Sequence, residues 1–97
     1  MLDHLTGLEF LSVHGIGLKT FAGLPPLPRL RVIKASDNRI TGQGLAALAQ
    51  QGALEHLDLS GNRISSMEDL QPLASCANLK SMDFEGCPIA TAGYEVR

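Results

Sequence analysis

Aromatic residues are scarce in this chain: they make up 4% of its 97 residues, and tryptophan is absent. Hydrophobic residues still account for 44% and charged residues for 19%, proportions typical of a folded protein rather than a disordered one. The core therefore has to be aliphatic, with leucine as its main component. The length suffices for one domain but not for two separate cores.

Long apolar runs and secretion signals are also lacking. No run approaches the roughly 18 apolar residues of a membrane span, and the start, Met1 to His4, lacks the basic residues of a signal peptide. Two cysteines without an Asn-x-Ser/Thr sequon give no indication of secretion. We therefore expect an intracellular protein with no membrane partner.

The net charge of −2 is unevenly distributed. Residues 1–48 hold five basic and three acidic side chains, whereas residues 49–97 hold three basic and seven acidic ones. This asymmetry is either ordinary solvated surface or a polarised surface that steers a basic partner to the C-terminal half. No basic stripe interleaves with aromatic residues, so we expect no nucleic-acid partner.

One segment, Leu54–Ile64, reads LxxLxLxxNxI, and three further copies of this template begin at Leu8, Leu30 and Leu79. The turn position of the template falls at residues 16, 38, 62 and 87, so the periods are 22, 24 and 25. These periods lie within the roughly 20–29 residues of leucine-rich repeats. The sequence predicts an α/β leucine-rich-repeat solenoid of four repeats, with a parallel concave β-sheet. Short helices, 3₁₀ turns or extended arms cover its convex side.

The predicted repeats form a single domain, 1–97, and run approximately over residues 5–26, 27–50, 51–75 and 76–97. Repeat arrays need polar caps at both ends. Nothing before Leu5 is long enough to cover the first copy, and only Tyr94 and Val96 follow the last copy as apolar cover. We therefore expect a fragment without complete caps, whose exposed ends favour end-to-end self-association.

The segments between the copies differ. Three prolines in Phe21–Pro28 exclude a regular helix, so this arm should be extended or a short 3₁₀ turn. Gly44–Gly52 predicts a helix that ends at Gly52 as its C-cap, with Leu45 and Leu48 packed inward.

Before the fourth copy, Ser65 and Glu68 have the spacing of a capping box, which predicts a helix start there. Pro72 then has to lie in the first turn or at a kink. Ser65 and Ser66 also precede the acidic pair Glu68 and Asp69, an arrangement that acidophilic kinases accept. The sequence leaves open whether either serine is phosphorylated, and the helix cap is the simpler account.

Alternation with period 2 divides each strand between two faces. Leu57 and Leu59 point into the solenoid, and their neighbours point to the concave face, which we expect to bind protein. The predicted concave set is Phe10, Ser12, His14, Val32, Lys34, Ser36, His56, Asp58, Ser60, Ser81, Asp83 and Glu85. At the turn, Asn38 and Asn62 should satisfy backbone groups. Ile16 and Cys87 occupy this position in the outer copies, where we expect backbone groups or water to make these hydrogen bonds instead.

Catalytic and metal-binding patterns are not evident. Cys76 and Cys87 fall on buried template positions, which favours core packing over a metal pair or disulfide. His4, His14 and His56 lie in different copies and have no HExxH or CxxC beside them. Carboxylates do cluster on the last two strands, but an open sheet encloses no active-site pocket. We expect no enzyme activity, no metal and no cofactor.

Several short segments carry a family resemblance. They are Leu8–Ser12 (LEFLS), Gly17-Leu18, Leu24-Pro25, Ser36–Arg39 (SDNR), Leu57–Asn62 (LxLSGN) and Asn78–Ser81 (NLKS). At these spacings they resemble the acidic leucine-rich nuclear phosphoprotein family, from about Leu5 to Tyr94. The resemblance implies a curved solenoid before an acidic tail, location in nucleus and cytoplasm, binding to histones and protein phosphatase 2A, and no catalysis.

The chain departs from that family in identifiable places. The family's N-terminal cap helix and first repeat, its C-terminal cap and its acidic tail have no counterpart here. Ala92-Gly93 precede Tyr94 where the family often has Asn-Asp, so functions that need this acidic pair, such as support of a viral polymerase, are not implied. Tail-dependent histone binding is not implied either.

These patterns together predict a non-catalytic protein-interaction module, a regulator or chaperone-like binder that uses its concave face. Its expected partner is a basic, histone-like protein or a phosphatase subunit. The alternatives are a phosphatase-1-regulatory or spliceosomal adaptor of the same fold, and a truncated product without independent function.

Overall fold

The computed structural model describes residues 7–91, and these form a single parallel sheet of four strands in the order β1-β2-β3-β4. The strands are β1 (Phe10–Ser12), β2 (Val32–Lys34), β3 (His56–Asp58) and β4 (Ser81–Asp83). Each residue pairs with the residue at the same template position in the next copy. The predicted solenoid is therefore confirmed. The sequence-based statements on His4, Leu5, Tyr94 and Val96 fall outside the described residues.

The arms on the convex side differ as their sequences do. The proline-rich arm after β1 contains turns and no helix, as predicted. The next two arms are 3₁₀ helices at Gly42–Gln50 and Met67–Ser75, and a short helix α1 (Pro88–Thr91) follows β4. The prediction that Gly52 caps the first helix was wrong: the C-cap is Gln51. The helix thus ends one residue earlier than predicted, and the Gln51 backbone N–H donates to the Leu48 carbonyl.

The second 3₁₀ helix also differs from its prediction. Its N-cap is Ser66, and the carboxylate that completes the capping box belongs to Asp69, one residue later than predicted for both positions. Pro72 lies in the helix interior rather than in its first turn. A proline there removes one backbone donor.

The core lies between the sheet and the convex arms. The inward residues Ile33, Leu57 and Leu59 are 0–2% exposed, and Leu45 and Leu48 of the first 3₁₀ helix pack against them. Burial decreases toward the first copy, where Leu8, Leu11, Val13 and Leu18 are only partly buried. Beside them lies an apolar hollow of about 270 Å³.

Two asparagines join adjacent repeats through their side-chain amides. We call each structural repeat, a strand with the arm that follows it, a coil. The Asn38 amide donates to the carbonyl of Val13 in the preceding coil at 2.9 Å, and its oxygen accepts the backbone N–H groups of Ile16 and Leu18 at 3.0 and 2.9 Å. Asn62 repeats the arrangement one coil later, donating to Ala35 at 2.8 Å. The backbone groups of the first turn, which Ile16 cannot serve, are thus satisfied by the next coil.

Cys87 occupies the same turn position in the fourth coil and replaces the amide with a thiol. Its Sγ donates to the Leu59 carbonyl at 3.1 Å, and its backbone N–H donates to Phe84 at 2.9 Å. The thiol is a weaker hydrogen-bond donor than the amide that occupies this position in the second and third coils.

We expect Cys87→Asn to raise the free energy of unfolding by about 1 kcal/mol, the net value of one added hydrogen bond. The amide restores the bonds that Asn62 makes one coil earlier. Urea unfolding measures the change, and Cys87→Ser, which matches the thiol in shape, is the control. A Cys87→Asn protein no more stable than Cys87→Ser would contradict the expectation.

Gln51 joins the first 3₁₀ helix to the proline-rich arm of the preceding coil. The side chain is fully buried; its oxygen accepts the Leu27 N–H at 3.1 Å and its amide donates to the Pro25 carbonyl at 2.8 Å. The proline-rich arm forms no helix, so its backbone groups obtain hydrogen bonds from the Gln51 side chain instead. Sequence reasoning missed this role, although a polar residue three positions before a buried template leucine was the available signal.

A row of alternating charges runs across the coils just before each strand. The row consists of Glu9, Arg31, Glu55 and Lys80. Arg31 lies 3.9 Å from the Glu9 carboxylate and 3.4 Å from the Glu55 carboxylate, and the Lys80 amine lies 3.7 Å from Glu55. The hydrogen bond from Arg31 lowers the pKa of Glu55 below its ordinary value. We call this set the charge row.

Candidate protein-binding surface

The twelve predicted concave residues form three rows across the sheet. The first row is Phe10, Val32, His56 and Ser81, and the second is Ser12, Lys34, Asp58 and Asp83; both are in register across all four strands. The third row, His14, Ser36, Ser60 and Glu85, follows the strand ends. Every member is exposed or half-buried, so the twelve side chains share one accessible face.

The basic and the acidic side chains of this face lie in different halves of the sheet. The Lys34 amine lies 5.8 Å from the centre of the Phe10 ring, a cation–π contact with its diagonal neighbour on β1. Lys34 makes no salt bridge with Asp58, although Asp58 is its partner in register. The basic charge therefore stays with the apolar side chains of β1 and β2.

The acidic half lies on β3, β4 and the turn after β4. One oxygen of Asp58 accepts the Ser60 N–H at 3.0 Å and the Ser60 hydroxyl at 2.8 Å; likewise, Asp83 accepts the Glu85 N–H at 2.9 Å. Within the described part of the chain, Asp58, Asp83 and Glu85 form no salt bridge. These three carboxylates are thus accessible to solvent and have no salt-bridge partner among residues 7–91.

A shallow cleft of about 390 Å³ lies where the two halves meet. Residues of both signs line it, Lys34 together with Asp58 and Asp83, and His56 also belongs to the lining. The cleft is open along one side rather than enclosed. It suits an extended segment of another protein better than a small substrate, which needs burial on most sides.

The two histidines among residues 7–91, His14 and His56, each pair with a serine but form no catalytic relay. His14 Nδ1 lies 2.5 Å from the Ser36 hydroxyl and 3.8 Å from Asp37, so both contacts use the same ring nitrogen. His56 Nδ1 lies 2.7 Å from the Ser81 hydroxyl. A nucleophile–base–acid chain requires the acid on the opposite nitrogen. Neither serine pair has that geometry.

The cysteines lie in the core. Both are free and buried, and the Cys76 thiol donates to the Leu48 carbonyl at 3.2 Å. Burial raises the pKa of the Cys76 thiol, which keeps it protonated and unreactive. Among residues 7–91, no cluster of three or more histidine, cysteine or acidic side chains is positioned to hold a metal ion. No helix in the same part of the chain is long and apolar enough to cross a bilayer.

Comparison with known families agrees with this architecture. Family models described as "Leucine Rich Repeat" and "Leucine Rich repeat" match residues 53–76 and 30–49. The chain has the leucine-rich-repeat fold. Proteins of this type are interaction modules, and they commonly bind their partners through a concave sheet.

Two curated relatives extend the comparison over most of the chain. They are named acidic leucine-rich nuclear phosphoprotein 32 family member A, from Drosophila melanogaster and Drosophila pseudoobscura pseudoobscura. The repeat chain is 43% and 42% identical to them over 83 residues, or 86% of its length. The resemblance to the acidic leucine-rich nuclear phosphoprotein family is thereby confirmed. The chain spans about a third, 31%, of the length of each relative.

Proposed function

We propose that this repeat chain is a non-catalytic regulator or chaperone-like binder, and that its concave face binds a basic segment of a partner protein. The observation that carries the proposal is the set of three carboxylates, Asp58, Asp83 and Glu85, without a cation partner among residues 7–91. A lysine- or arginine-rich segment supplies the missing charge. The curved, open cleft next to them suits an extended chain.

The position of Phe10 supports binding of the partner segment in one orientation along the face. Its side chain is 51% exposed at the far end of the face from Glu85. An apolar side chain of the partner packs against this ring, while the basic residues of the partner reach the acidic half. Electrostatic attraction increases the association rate and the apolar contact slows dissociation.

By resemblance to the family, we propose histones or a phosphatase subunit as the partner, in the nucleus and cytoplasm. Both names of the relatives contain "nuclear phosphoprotein", which supports the nuclear location. Fluorescence imaging of the tagged chain tests the location. Binding assays with a histone tail peptide and with purified phosphatase 2A decide between the partners.

Reversing the acidic charges should weaken binding to a fluorescent, lysine-rich histone tail peptide. We expect Glu85→Lys to raise the Kd about tenfold, equivalent to about 1.4 kcal/mol, and Asp58→Lys/Asp83→Lys to abolish measurable binding. Fluorescence anisotropy measures both variants at low salt and at 0.5 M salt, where screening should reduce the differences.

Glu68→Lys is the matched control, since Glu68 is also exposed and has no salt bridge in the described region, but lies on the convex side. An equal loss in Glu68→Lys would indicate attraction to net charge alone. Full binding by Asp58→Lys/Asp83→Lys would reject the concave face as the binding surface.

A further inference from the structure

Ser65 precedes the N-cap of the second 3₁₀ helix, and its backbone N–H donates to the Asp69 carboxylate at 3.1 Å. The N-cap is Ser66, whose backbone N–H donates to the Asp69 carboxylate at 3.2 Å. Ser65 and Glu68, which have capping spacing in the sequence, are both exposed. The Ser65 hydroxyl donates to Asp69 only at 3.4 Å, close to the limit for a hydrogen bond.

We propose that Ser65 is a phosphorylation site for an acidophilic serine/threonine kinase. Kinases of this class recognise carboxylates on the C-terminal side of the acceptor, and Glu68 and Asp69 stand three and four residues after Ser65. In the reaction, Ser65 Oγ attacks the γ-phosphorus of ATP, the bond to ADP breaks, and the hydroxyl proton passes to the kinase's base. Ser66 is a poorer acceptor because it is half-buried at the cap.

The surroundings of Ser65 also provide a place for the phosphate. Arg63 and Ser65 are both exposed on either side of the buried Ile64, so they emerge on the same side of an extended segment. Arg39 holds the equivalent position in the preceding coil, since the Arg63 N–H donates to Ile40 as the Arg39 N–H donates to Leu18, each at 2.8 Å.

The two arginines are available for such a contact. Within residues 7–91, neither guanidinium of Arg39 or Arg63 forms a salt bridge or hydrogen bond. Asp69, in contrast, repels a phosphate, and its carboxyl lies close to the Gly42 backbone. The phosphate therefore turns from Asp69 to Arg63 and Arg39, which bind phosphate oxygens through charge-assisted hydrogen bonds.

The folded chain, incubated with ATP and a purified acidophilic kinase, should gain one phosphate at Ser65, located by tandem mass spectrometry. Ser65→Ala should abolish it, and Glu68→Gln should slow its addition about tenfold. Thr41 is an internal control: it is exposed at the same position of the preceding coil but is followed three residues later by Gly44. Circular dichroism of each variant establishes that it is folded before the reaction.

Phosphate on Ser66 or Thr41 instead of Ser65, or equal rates for Glu68→Gln and the unchanged chain, would overturn the proposal. Phosphorus NMR tests the arginines separately. The second pKa of a phosphoserine, ordinarily about 6, should be lower in the phosphorylated chain and should rise again in Arg39→Gln/Arg63→Gln. A pKa that does not respond to this double substitution would reject the arginine contact.

Discussion

Asn62→Asp should lower the free energy of unfolding at pH 7 by about 4 kcal/mol, the cost of leaving a buried charge unpaired. The Asn62 amide donates to the carbonyls of Ala35, Leu59 and Ser60 at 2.8, 2.9 and 3.2 Å. The substitution removes these donors and places an anion against three carbonyl oxygens. Only the hydrogen bond that Asn62 Oδ1 accepts from the Ile40 N–H, at 3.0 Å, is retained.

The loss should depend on pH in a defined direction. Burial among carbonyl oxygens raises the pKa of the new carboxyl above its unfolded value of about 3.9. The penalty is complete above the raised folded pKa and decreases as the pH falls, because the protonated acid donates one hydrogen bond again. Urea unfolding at pH 7 and pH 4, each compared with the unchanged chain, measures this dependence.

Asn78→Asp makes the same chemical change at an exposed position, where the amide donates only to the Gly52 carbonyl at 2.9 Å. We expect it to cost less than about 1 kcal/mol. Similar losses in the two variants, or a loss in Asn62→Asp that is the same at both pH values, would contradict the assigned role of Asn62.

Gln51→Ala should lower the free energy of unfolding by about 3 kcal/mol, from an unsatisfied buried donor and acceptor and from the cavity left behind. The Leu27 N–H and the Pro25 carbonyl lose the partner that joins the proline-rich arm to the next coil. Thermal and urea unfolding measure the change. Hydrogen exchange should also show the Leu27 amide exchanging faster.

Two variants separate the effect of the lost hydrogen bonds from that of the cavity. Gln50→Ala, at the exposed neighbouring position of the same helix, controls for the general effect of the substitution. Gln51→Met retains the volume but not the hydrogen bonds, and we expect it to recover only the cavity part. A Gln51→Met protein as stable as the unchanged chain would assign the role of Gln51 to packing alone.

The fold could be predicted because its determinants are local and repeated. Leu57 and Ile33 occupy the same template position, and period 2 alone turns them inward. The helix start could not be located, because the run from Ser65 to Asp69 satisfies capping spacing in two registers. In the structure Asp69 also lies close to Gly42, a residue distant in sequence, and local spacing gives no sign of such a neighbour.

The candidate surface could also be predicted in part from the sequence. The membership of its rows follows from strand alternation, and so does the concentration of acid on β3 and β4. The orientation of Lys34 toward Phe10 rather than Asp58 does not, because one amine has two possible partners at similar reach. Gln51 was missed since nothing within its own coil indicates that its partners, Leu27 and Pro25, lie 24 and 26 residues earlier.

The charge row limits how this protein can be lengthened by duplication. From Glu9 to Lys80 the signs alternate from coil to coil, and each inner member contacts both neighbours. Copying the coil of Glu55 alone would place two glutamates side by side, which is unfavourable in adjacent strands. Copying the coils of Arg31 and Glu55 together preserves the alternation. In longer arrays built from this sequence, duplicating coils in pairs therefore avoids placing like charges side by side in the charge row.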